Sequence, residues 1–373
     1  MKAASAPALL SDDQRLAWLR LIRSDNIGPV TFRELINHFG SASAAIDAVP
    51  ELARKGGRQI RLCSVDEAER ELVAAAAAGA RFVAMGEADY PPWLRAIDAA
   101  PPLIAVRGGG ACLARPNIAV VGARNASVAG RKFAMQIAVE LGEAGFSIAS
   151  GLARGIDAAA HTGALAGGTV AVFAGGLDRP YPAENIALAE AIVERGGSLV
   201  SEMPMGWEPR ARDFPRRNRL ISGISVAVVV VEAALRSGSL ITARLAGEQG
   251  RLVFAVPGSP LDPRSGGVNQ LIKDGAAIVT RIADTVAEVM PMLDSPLPPA
   301  RPPMREGGDG PAFDADDSER SRIVEALGET PVEIDEIIRF TGLKPGIVRL
   351  VLLELDLAGR IEHHGGGRVS LVG

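Results

Sequence analysis

Three arginines stand within four positions in the stretch DFPRRNRLISG at residues 213–223. Arg216, Arg217 and Arg219 come shortly before SVAVVVVEAA, an apolar run that predicts a buried strand. A guanidinium group is planar and binds two phosphate oxygens at once, so several arginines with few carboxylates nearby are typical of a site for repeated phosphates. Any one of these arginines alone fits a solvated surface equally well. Together with the loops described next, they predict a phosphate-binding site that also includes Asn218.

Three further stretches place small, hydroxyl or arginine residues directly after predicted strands: VGARNAS at 121–127, SGLARG at 150–155 and RSGSLITAR at 236–244. Such loops leave backbone N–H groups unpaired where the next helix begins, and these groups bind anions. Arg124 and Arg154 are the charged candidates. The residues expected to shape the floor of the site are Gly122, Ser127, Ser150, Gly151, Ser237, Gly238, Ser239 and Thr242.

The first of these loops is not a dinucleotide-binding fingerprint. Its pattern is G-x-R-x-x-S-x-x-G and not G-x-G-x-x-G, and the next strand ends in Ser150-Gly151, without a carboxylate for a ribose. Asp157 and His161 lie four apart on one predicted helix face, which makes an acid–base or metal pair conceivable, but no third ligand lies nearby in sequence. We favour a structural role for this pair and expect no catalytic residue, no metal site and no cofactor.

The elements that position these residues follow from the alternation of apolar runs and amphipathic segments between residues 82 and 292. Nine runs are predicted strands: RFVAM, PLIAV, NIAVVG, FSIASG, TVAVFAG, GSLVSE, VAVVVVE, RLVFAV and AAIVT. Runs that are apolar throughout and separated by helical stretches are typical of a mostly parallel sheet buried on both faces. We therefore predict a Rossmann-like, doubly wound α/β domain. Ligands of such domains bind at the carboxyl ends of the strands, where all three loops would lie.

Smaller domains are predicted before and after this α/β domain in the chain. Residues 1–81 contain short helices of a SAM-like or helix-hairpin-helix type, although a plain turn fits the break Asn26-Ile27-Gly28-Pro29 equally well. Residues 293–315 are rich in proline, glycine and acidic residues and predict a disordered linker. Residues 316–373 predict three helices and a hairpin, the order found in a winged helix.

Charge is distributed unevenly along the chain. The net charge is −4, but residues 306–336 hold eleven acidic residues and two arginines, so the remainder sums to +5 and is compatible with a polyanion. The winged-helix module is acidic overall, which favours a protein partner over a duplex. No apolar run approaches the roughly 20 residues of a membrane span, a signal-peptide core is missing, and the two cysteines make no disulfide framework. We expect a cytoplasmic protein.

Several stretches, in this order, resemble the DNA-processing protein A (DprA, also called Smf) family: VVGARNASVAGRKFA, SGLARGIDAAAHTGAL, FPRRNRLISGIS and VVVEAALRSGSLITARLA. The resemblance covers about residues 82–282, and both flanking domains are similar to domains of the family more loosely. It implies a non-enzymatic recombination mediator that binds single-stranded DNA, shields it from nucleases and helps to load the RecA recombinase during natural transformation. The positions that match the family's DNA-binding cleft are Arg124, Arg154, Arg216, Arg217 and Arg219.

The resemblance also implies a homodimer formed through the Rossmann-like domain, for which the apolar positions of VNQLIKDGAAIV are candidates. Two other functions stay open. A nucleotide-processing, phosphoribohydrolase-like enzyme would use Asp157, His161, Glu202 and Glu232 as acid–base groups, but SGSLITARLA lacks the glutamate that such enzymes place beside a Gly-Thr loop. A transcription regulator would use the winged helix, against which its acidic balance argues.

Overall fold

A computed structural model describes residues 9–294, residue 306 and residues 314–372. The predicted linker at 293–315 therefore lies mostly outside the described residues. The described chain forms two compact units. One, the sheet unit, comprises residue 9 and residues 71–294; the other, the flanking unit, comprises residues 10–70, 306 and 314–372.

The N-terminal part of the flanking unit consists of helices whose ends are marked in the sequence. Helix α1 (Asp12–Ile22) begins after Ser11, which forms a capping box with Gln14. Helix α2 (Pro29–Phe39) begins at the proline of the predicted hairpin and ends at Gly40, which has a left-handed φ of 78°. Helix α3 (Ala42–Lys55) follows Ser41 as its cap, and α4 (Val65–Ala77) runs on into the sheet unit.

The sheet unit contains a nine-stranded sheet in which every predicted strand is present. The strands are β1 (Ala80–Ala84), β2 (Leu103–Gly108), β3 (Asn117–Gly122), β4 (Ser147–Ser150), β5 (Thr169–Val172), β6 (Ser198–Ser201), β7 (Ser225–Val231), β8 (Leu252–Ala255) and β9 (Ala277–Ile278). Their order is β1-β2-β6-β5-β4-β3-β7-β8-β9. Strands β3 to β9 pair in parallel, whereas β2 pairs antiparallel with both of its neighbours.

Helices cover both faces of this sheet, so most residues of its strands are buried. The helices are α5 (Ala111–Ala114), α6 (Val128–Glu143), α7 (Ile156–Gly163), α8 (Ile186–Glu194), α9 (Asp213–Ile224), α10 (Gly238–Glu248), α11 (Gly266–Lys273) and α12 (Ile282–Asp294). One core contains residues of α9 and α10, and the other contains residues of α6, α7 and α12. All seven residues of β7 are buried between them. Along the described chain, no helix combines the length and apolarity needed to cross a bilayer.

The C-terminal part of the flanking unit has the element order of a winged helix. It comprises α13 (Asp317–Glu325), β10 (Val332–Glu333), α14 (Ile334–Thr341), α15 (Pro345–Leu357), β11 (Ile361–His364) and β12 (Arg368–Leu371). The three short strands form an antiparallel sheet in the order β10-β12-β11. The predicted three helices and hairpin are therefore present, with one added strand before α14.

Candidate nucleic-acid interface

Helix α9 carries the arginine cluster to the edge of the sheet where the parallel strands end. The cluster precedes β7 in sequence, so an extended chain would leave it at the opposite edge. The helix instead runs antiparallel to β7, and at 1.5 Å per residue the eight positions from Arg217 to Ser225 cover about 12 Å. Arg217 thereby reaches the ends of β4 and β5.

Arg217 is the buried centre of the site. Its side chain is only 5% exposed, and its Nη1 donates hydrogen bonds to the carbonyl oxygens of Gly151 (2.6 Å) and Val172 (2.7 Å). Burial lowers the pKa of Arg217 to about 10, with the charge of Asp157 acting against that and the charge of Arg124 adding to it. The guanidinium group is therefore still charged at neutral pH, and its partners are carbonyl groups. Its Nε makes no hydrogen bond to any described residue.

Two aromatic rings stand beside this charge. The rings of Tyr181 and Phe214 meet edge to face with centroids 5.8 Å apart, and Tyr181 is 51% exposed. The guanidinium carbon of Arg124 lies 5.1 Å from the Phe214 centroid, and that of Arg217 lies 6.0 Å from it. Two arginines thus flank one ring at cation–π distance.

Arg217, Tyr181 and Phe214 line one pocket, called here the arginine–aromatic pocket. Its wall combines backbone from the ends of β4 and β5 with side chains of α9 and of the loop after β5. The lining residues are Gly151, Phe173, Ala174, Gly175, Arg179, Tyr181, Pro209, Phe214 and Arg217. Three of them, Phe173, Tyr181 and Phe214, are aromatic residues.

Arg216 and Arg219 lie on another face of α9. Both pair with Glu202, whose side chain is 5% exposed: Nε of Arg216 lies 3.0 Å from Oε1, and Nη2 of Arg219 bonds Oε2. Arg219 also donates to the carbonyl oxygen of Ala99 and is 15% exposed, whereas Arg216 is half exposed. Arg219 is therefore part of an internal ion pair, and Arg216 keeps an accessible surface.

Arg124 and Arg154 are exposed arginines of the first and second predicted loops. Arg154 approaches Glu184 at 3.5 Å, with both side chains about 60% exposed. Exposed pairs of this kind contribute little to stability, so Arg154 can exchange this partner for a phosphate at small cost.

The N-terminus of α6, which follows the first loop, is not available to a ligand. Ser127 caps α6 as expected, accepting from the N–H of Gly130 at 2.8 Å. However, the carboxylate of Glu232 accepts from both the N–H and the hydroxyl group of Ser127 and thus occupies the start of the helix. A Cβ on Gly122 would lie 1.9 Å from the carbonyl oxygen of Val231, so this glycine serves strand packing.

Most of the other predicted floor residues are also used inside the protein. The Ser150 hydroxyl donates to Val120 O (2.7 Å), Asn218 donates to Gly238 O (3.2 Å), and Thr242 is buried. Ser237 caps α10, and its hydroxyl meets that of the buried Ser239 at 2.7 Å. Gly238 is exposed and begins the helix, so part of the predicted polar turn is helical.

Asp157 and His161 form an internal polar cluster. Asp157 accepts from the N–H groups of Gly151 (3.1 Å) and Ala153 (3.3 Å), and burial raises its pKa. His161 is fully buried and meets the Thr169 hydroxyl at 2.7 Å, and burial lowers its pKa to about 3. Because Thr169 donates to Ile148 O, the imidazole donates to Thr169 from Nδ1. Asp157 thus holds the loop after β4, and His161 binds the start of β5.

Four pocket residues escaped the sequence analysis: Ala174, Gly175, Arg179 and Pro209. Arg179 lies 3.7 Å from Asp178 and 3.4 Å from Glu208 and is half exposed. The loops that follow β5 and β6 are the signal that points to them, because both leave the carboxyl edge of the sheet.

Three protein-family models match the chain, one for each of its three predicted domains. Residues 81–290 match the model described as DNA recombination-mediator protein A. Residues 12–74 match a DprA-like N-terminal HHH domain, and residues 308–367 match a DprA winged helix domain.

Similar proteins carry related names. Protein Smf of Escherichia coli is 40% identical over 288 residues, which cover 76% of this chain and 75% of the relative. The X-ray structure of DNA processing protein A from Streptococcus pneumoniae matches with a TM-score of 0.61 and 32% identity, over 75% of this chain and 99% of that one. A Helicobacter pylori DNA processing protein A structure, described for its single-stranded DNA binding mode, matches with a TM-score of 0.52 and 27% identity, over 57% and 97%.

Proposed function

This chain belongs to the DNA-processing protein A family of DNA recombination mediators, and we propose that it binds single-stranded DNA in the arginine–aromatic pocket. In the same proposal, the protein shields incoming DNA and helps to load RecA during natural transformation, in the cytoplasm and without catalytic turnover. The likeness to a Helicobacter pylori protein described for its single-stranded DNA binding mode supports this proposal.

The observation that carries the proposal is the position of Phe214 near two guanidinium groups and against Tyr181. Aromatic rings bind nucleic acid by stacking on the faces of unpaired bases, and arginines neutralise the adjoining phosphates. In a duplex those base faces are stacked on one another. A half-exposed ring beside charged groups therefore favours a single strand.

The contact surface that we propose is smaller than the set predicted from the sequence. It comprises Arg124, Arg154, Arg216 and Arg217, with the rings of Tyr181 and Phe214. Gly151 lies in the pocket wall, and Ser237 and Gly238 stay as outer candidates. The remaining predicted residues, Gly122, Ser127, Ser150, Asn218, Arg219, Ser239 and Thr242, are proposed to support this surface from inside.

Salt dependence of oligonucleotide affinity tests the proposal directly. We expect the logarithm of affinity for single-stranded DNA to fall with log salt at a slope of several units, and duplex DNA to bind more weakly. Arg124→Ala removes one exposed charge and is expected to reduce the slope by about 0.7, the value for one phosphate contact on a single strand. Arg244→Ala is the matched control, because Arg244 is 63% exposed and pairs within α10 with Glu248.

Affinity that does not depend on salt, or an equal response to Arg124→Ala and Arg244→Ala, would count against the pocket. The role in RecA loading is tested separately. RecA filament formation is measured on single strands coated with a single-strand binding protein, with and without this chain. No acceleration by the chain would remove the RecA part of the proposal while leaving DNA binding intact.

We propose that the homodimer forms through the face that carries α11 and the edge strand β9. Within VNQLIKDGAAIV, Val268 is buried, whereas Ile278 on β9 is 51% exposed. Ile278→Asp would place a charge in such an interface, so sedimentation should show a loss of dimer. A monomeric wild type at micromolar concentration would contradict this assignment.

The alternative nucleotide-processing enzyme has less support from the same residues. Asp157 and His161 are buried and hydrogen-bonded, Glu202 pairs with two arginines, and Glu232 occupies the start of α6. Release of free base from mononucleotides at a steady rate would nevertheless support the enzyme hypothesis. We expect none above the uncatalysed rate.

A further inference from the structure

Helix α15, the third helix of the winged-helix domain, is enclosed over residues 350–355. The six consecutive residues from 350 to 355 are all buried, as are Val348 and Leu357. Consecutive residues of a helix point in directions 100° apart, so six buried in a row leave no open face over this stretch. The helix that enters the groove in duplex-reading helix-turn-helix proteins, by contrast, must present an exposed face.

The N-terminal helices supply the missing cover. Helix α15 packs against both α2 and α3, which belong to the same compact unit. The Thr31 hydroxyl donates to Oδ2 of Asp356 at 2.7 Å, and Nδ2 of Asn26 donates to the carbonyl oxygen of Leu357 at 2.9 Å. Asn26 belongs to the break Asn26-Ile27-Gly28-Pro29 of the predicted hairpin, and its side chain binds protein.

Gly56 shows how closely the two parts approach. It ends α3 with φ −70° and ψ −10°, a right-handed conformation that any residue adopts without strain. A Cβ at this position would nevertheless lie 2.1 Å from the carbonyl oxygen of Glu354 and 2.9 Å from Cβ of Ala358. The backbone of α15 therefore occupies the place of a side chain, and the glycine is needed because of α15 and not because of its own helix.

Acidic residues before and within the winged helix extend this contact. Oε2 of Glu306 accepts from the Trp18 indole N–H at 2.8 Å, and Asp314 pairs with Nζ of Lys55 at 3.2 Å. Both carboxylates belong to the acidic segment 306–336. Part of that segment is thus used to bind the N-terminal helices.

We propose that α15 is a protein-docking helix whose partner is the N-terminal helical domain of the same chain. The docking covers residues 350–357 of this helix, and it also engages the hairpin at Asn26. The two flanking domains then act as one module that does not bind DNA through either of these elements.

Hydrogen–deuterium exchange on the full-length protein tests the contact. Gly56→Ala adds only the Cβ that overlaps Glu354, so amides of residues 348–357 should exchange at least tenfold faster than in the wild type. Gly28→Ala is the matched control in the same domain, because its Cβ would have no neighbour within 4 Å and exchange should not change. Unchanged exchange of α15 in a folded Gly56→Ala protein would overturn the proposal.

A cross-link separates contact within one chain from contact between copies. Thr31→Cys with Asp356→Cys should form a disulfide within one chain; a protease site inserted at residue 300 then gives fragments that separate only after reduction. Thr31→Cys alone is the control, since Cys63 and Cys112 are buried. Absence of the link, or a disulfide that joins two copies, would overturn the assignment to the same chain.

Duplex binding provides an independent readout. Arg349 is an exposed residue of α15, so a helix that reads DNA should lose affinity when this charge is reversed. We expect Arg349→Glu to leave duplex affinity within twofold of the wild type. A tenfold loss would mean that α15 contacts DNA, against the proposal.

Discussion

Gly151 lacks a side chain at the point where the guanidinium group of Arg217 lies. A Cβ on Gly151 would stand 2.1 Å from Nη1 and 2.5 Å from Cζ of that arginine. The same guanidinium donates to the carbonyl oxygen of Gly151. The glycine therefore makes room for the arginine and also binds it.

Gly151→Ala should displace the guanidinium group and break its bonds to two carbonyl groups. Hydrogen bonds to charged groups contribute about 1.5–3 kcal/mol each, so loss of both is expected to lower the free energy of unfolding by about 3 kcal/mol or more. Affinity for single-stranded DNA should fall at least tenfold, as measured by fluorescence anisotropy. Gly247→Ala is the control, because its Cβ meets nothing within 4 Å. Wild-type stability and affinity in Gly151→Ala would show that Arg217 has another position available.

Phe214 should contribute to DNA binding as a stacking surface. Loss of one base–aromatic stack costs about 1–3 kcal/mol, so Phe214→Leu is expected to weaken binding of an oligonucleotide by roughly 5- to 150-fold. Phe214→Trp keeps a ring and should retain most of the affinity. Equal affinity of the leucine and tryptophan variants would show that the ring only fills space.

Arg219 and Arg216 should differ in stability although they share one carboxylate. Arg219→Met removes the largely buried partner of Glu202 and is expected to lower the free energy of unfolding by about 3 kcal/mol. Arg216→Met removes the half-exposed partner and should cost less than about 1 kcal/mol. Chemical denaturation distinguishes the two. Equal losses of unfolding free energy in the two variants would mean that the ion pair of Glu202 with Arg219 is no more important than its pair with Arg216.

His161 should make the protein sensitive to acid. Burial, with the charge of Arg217, lowers its pKa to about 3 from an ordinary value of 6.5. Between these values the unfolded chain binds the proton and the folded chain does not, so stability is lost as pH falls below about 6.5. His161→Asn, which can still donate to Thr169, should show a flatter dependence of the free energy of unfolding between pH 7 and pH 4.5. Parallel curves for the two proteins would exclude this cause.

The sheet could be predicted from the sequence because each strand is a short apolar run bounded by turn residues. Val226–Val231 illustrates this: a strand buried on both faces needs only apolar side chains, and its partners do not change the pattern. The capping roles of Ser127 and Ser237 were predictable for a similar reason, since they depend on residues two or three positions away. The predicted strands are confirmed.

The ion pairs that Arg216 and Arg219 form with Glu202 could not be predicted in the same way. Glu202 precedes Arg219 by 17 positions and reaches it only through the packing of α9 on the sheet. One local signal was available: in a helix, Phe214 and Arg217 share one face and Arg216 and Arg219 share another, because residues three apart are neighbours. Helical periodicity across DFPRRNRLISG would have separated the pocket arginine from the ion pair.

Thr31 and Asp356 are hydrogen-bonded although 325 positions separate them in the chain. A ribosome adds roughly 5–20 residues per second, so the first of these residues is made roughly 15 to 65 seconds before the second. During that interval the surfaces of α2 and α3 are bare, and the whole sheet domain is synthesised and can fold. The module at the two ends is therefore completed last, and a chain that terminates early would carry an uncovered apolar surface for chaperones or proteases to recognise.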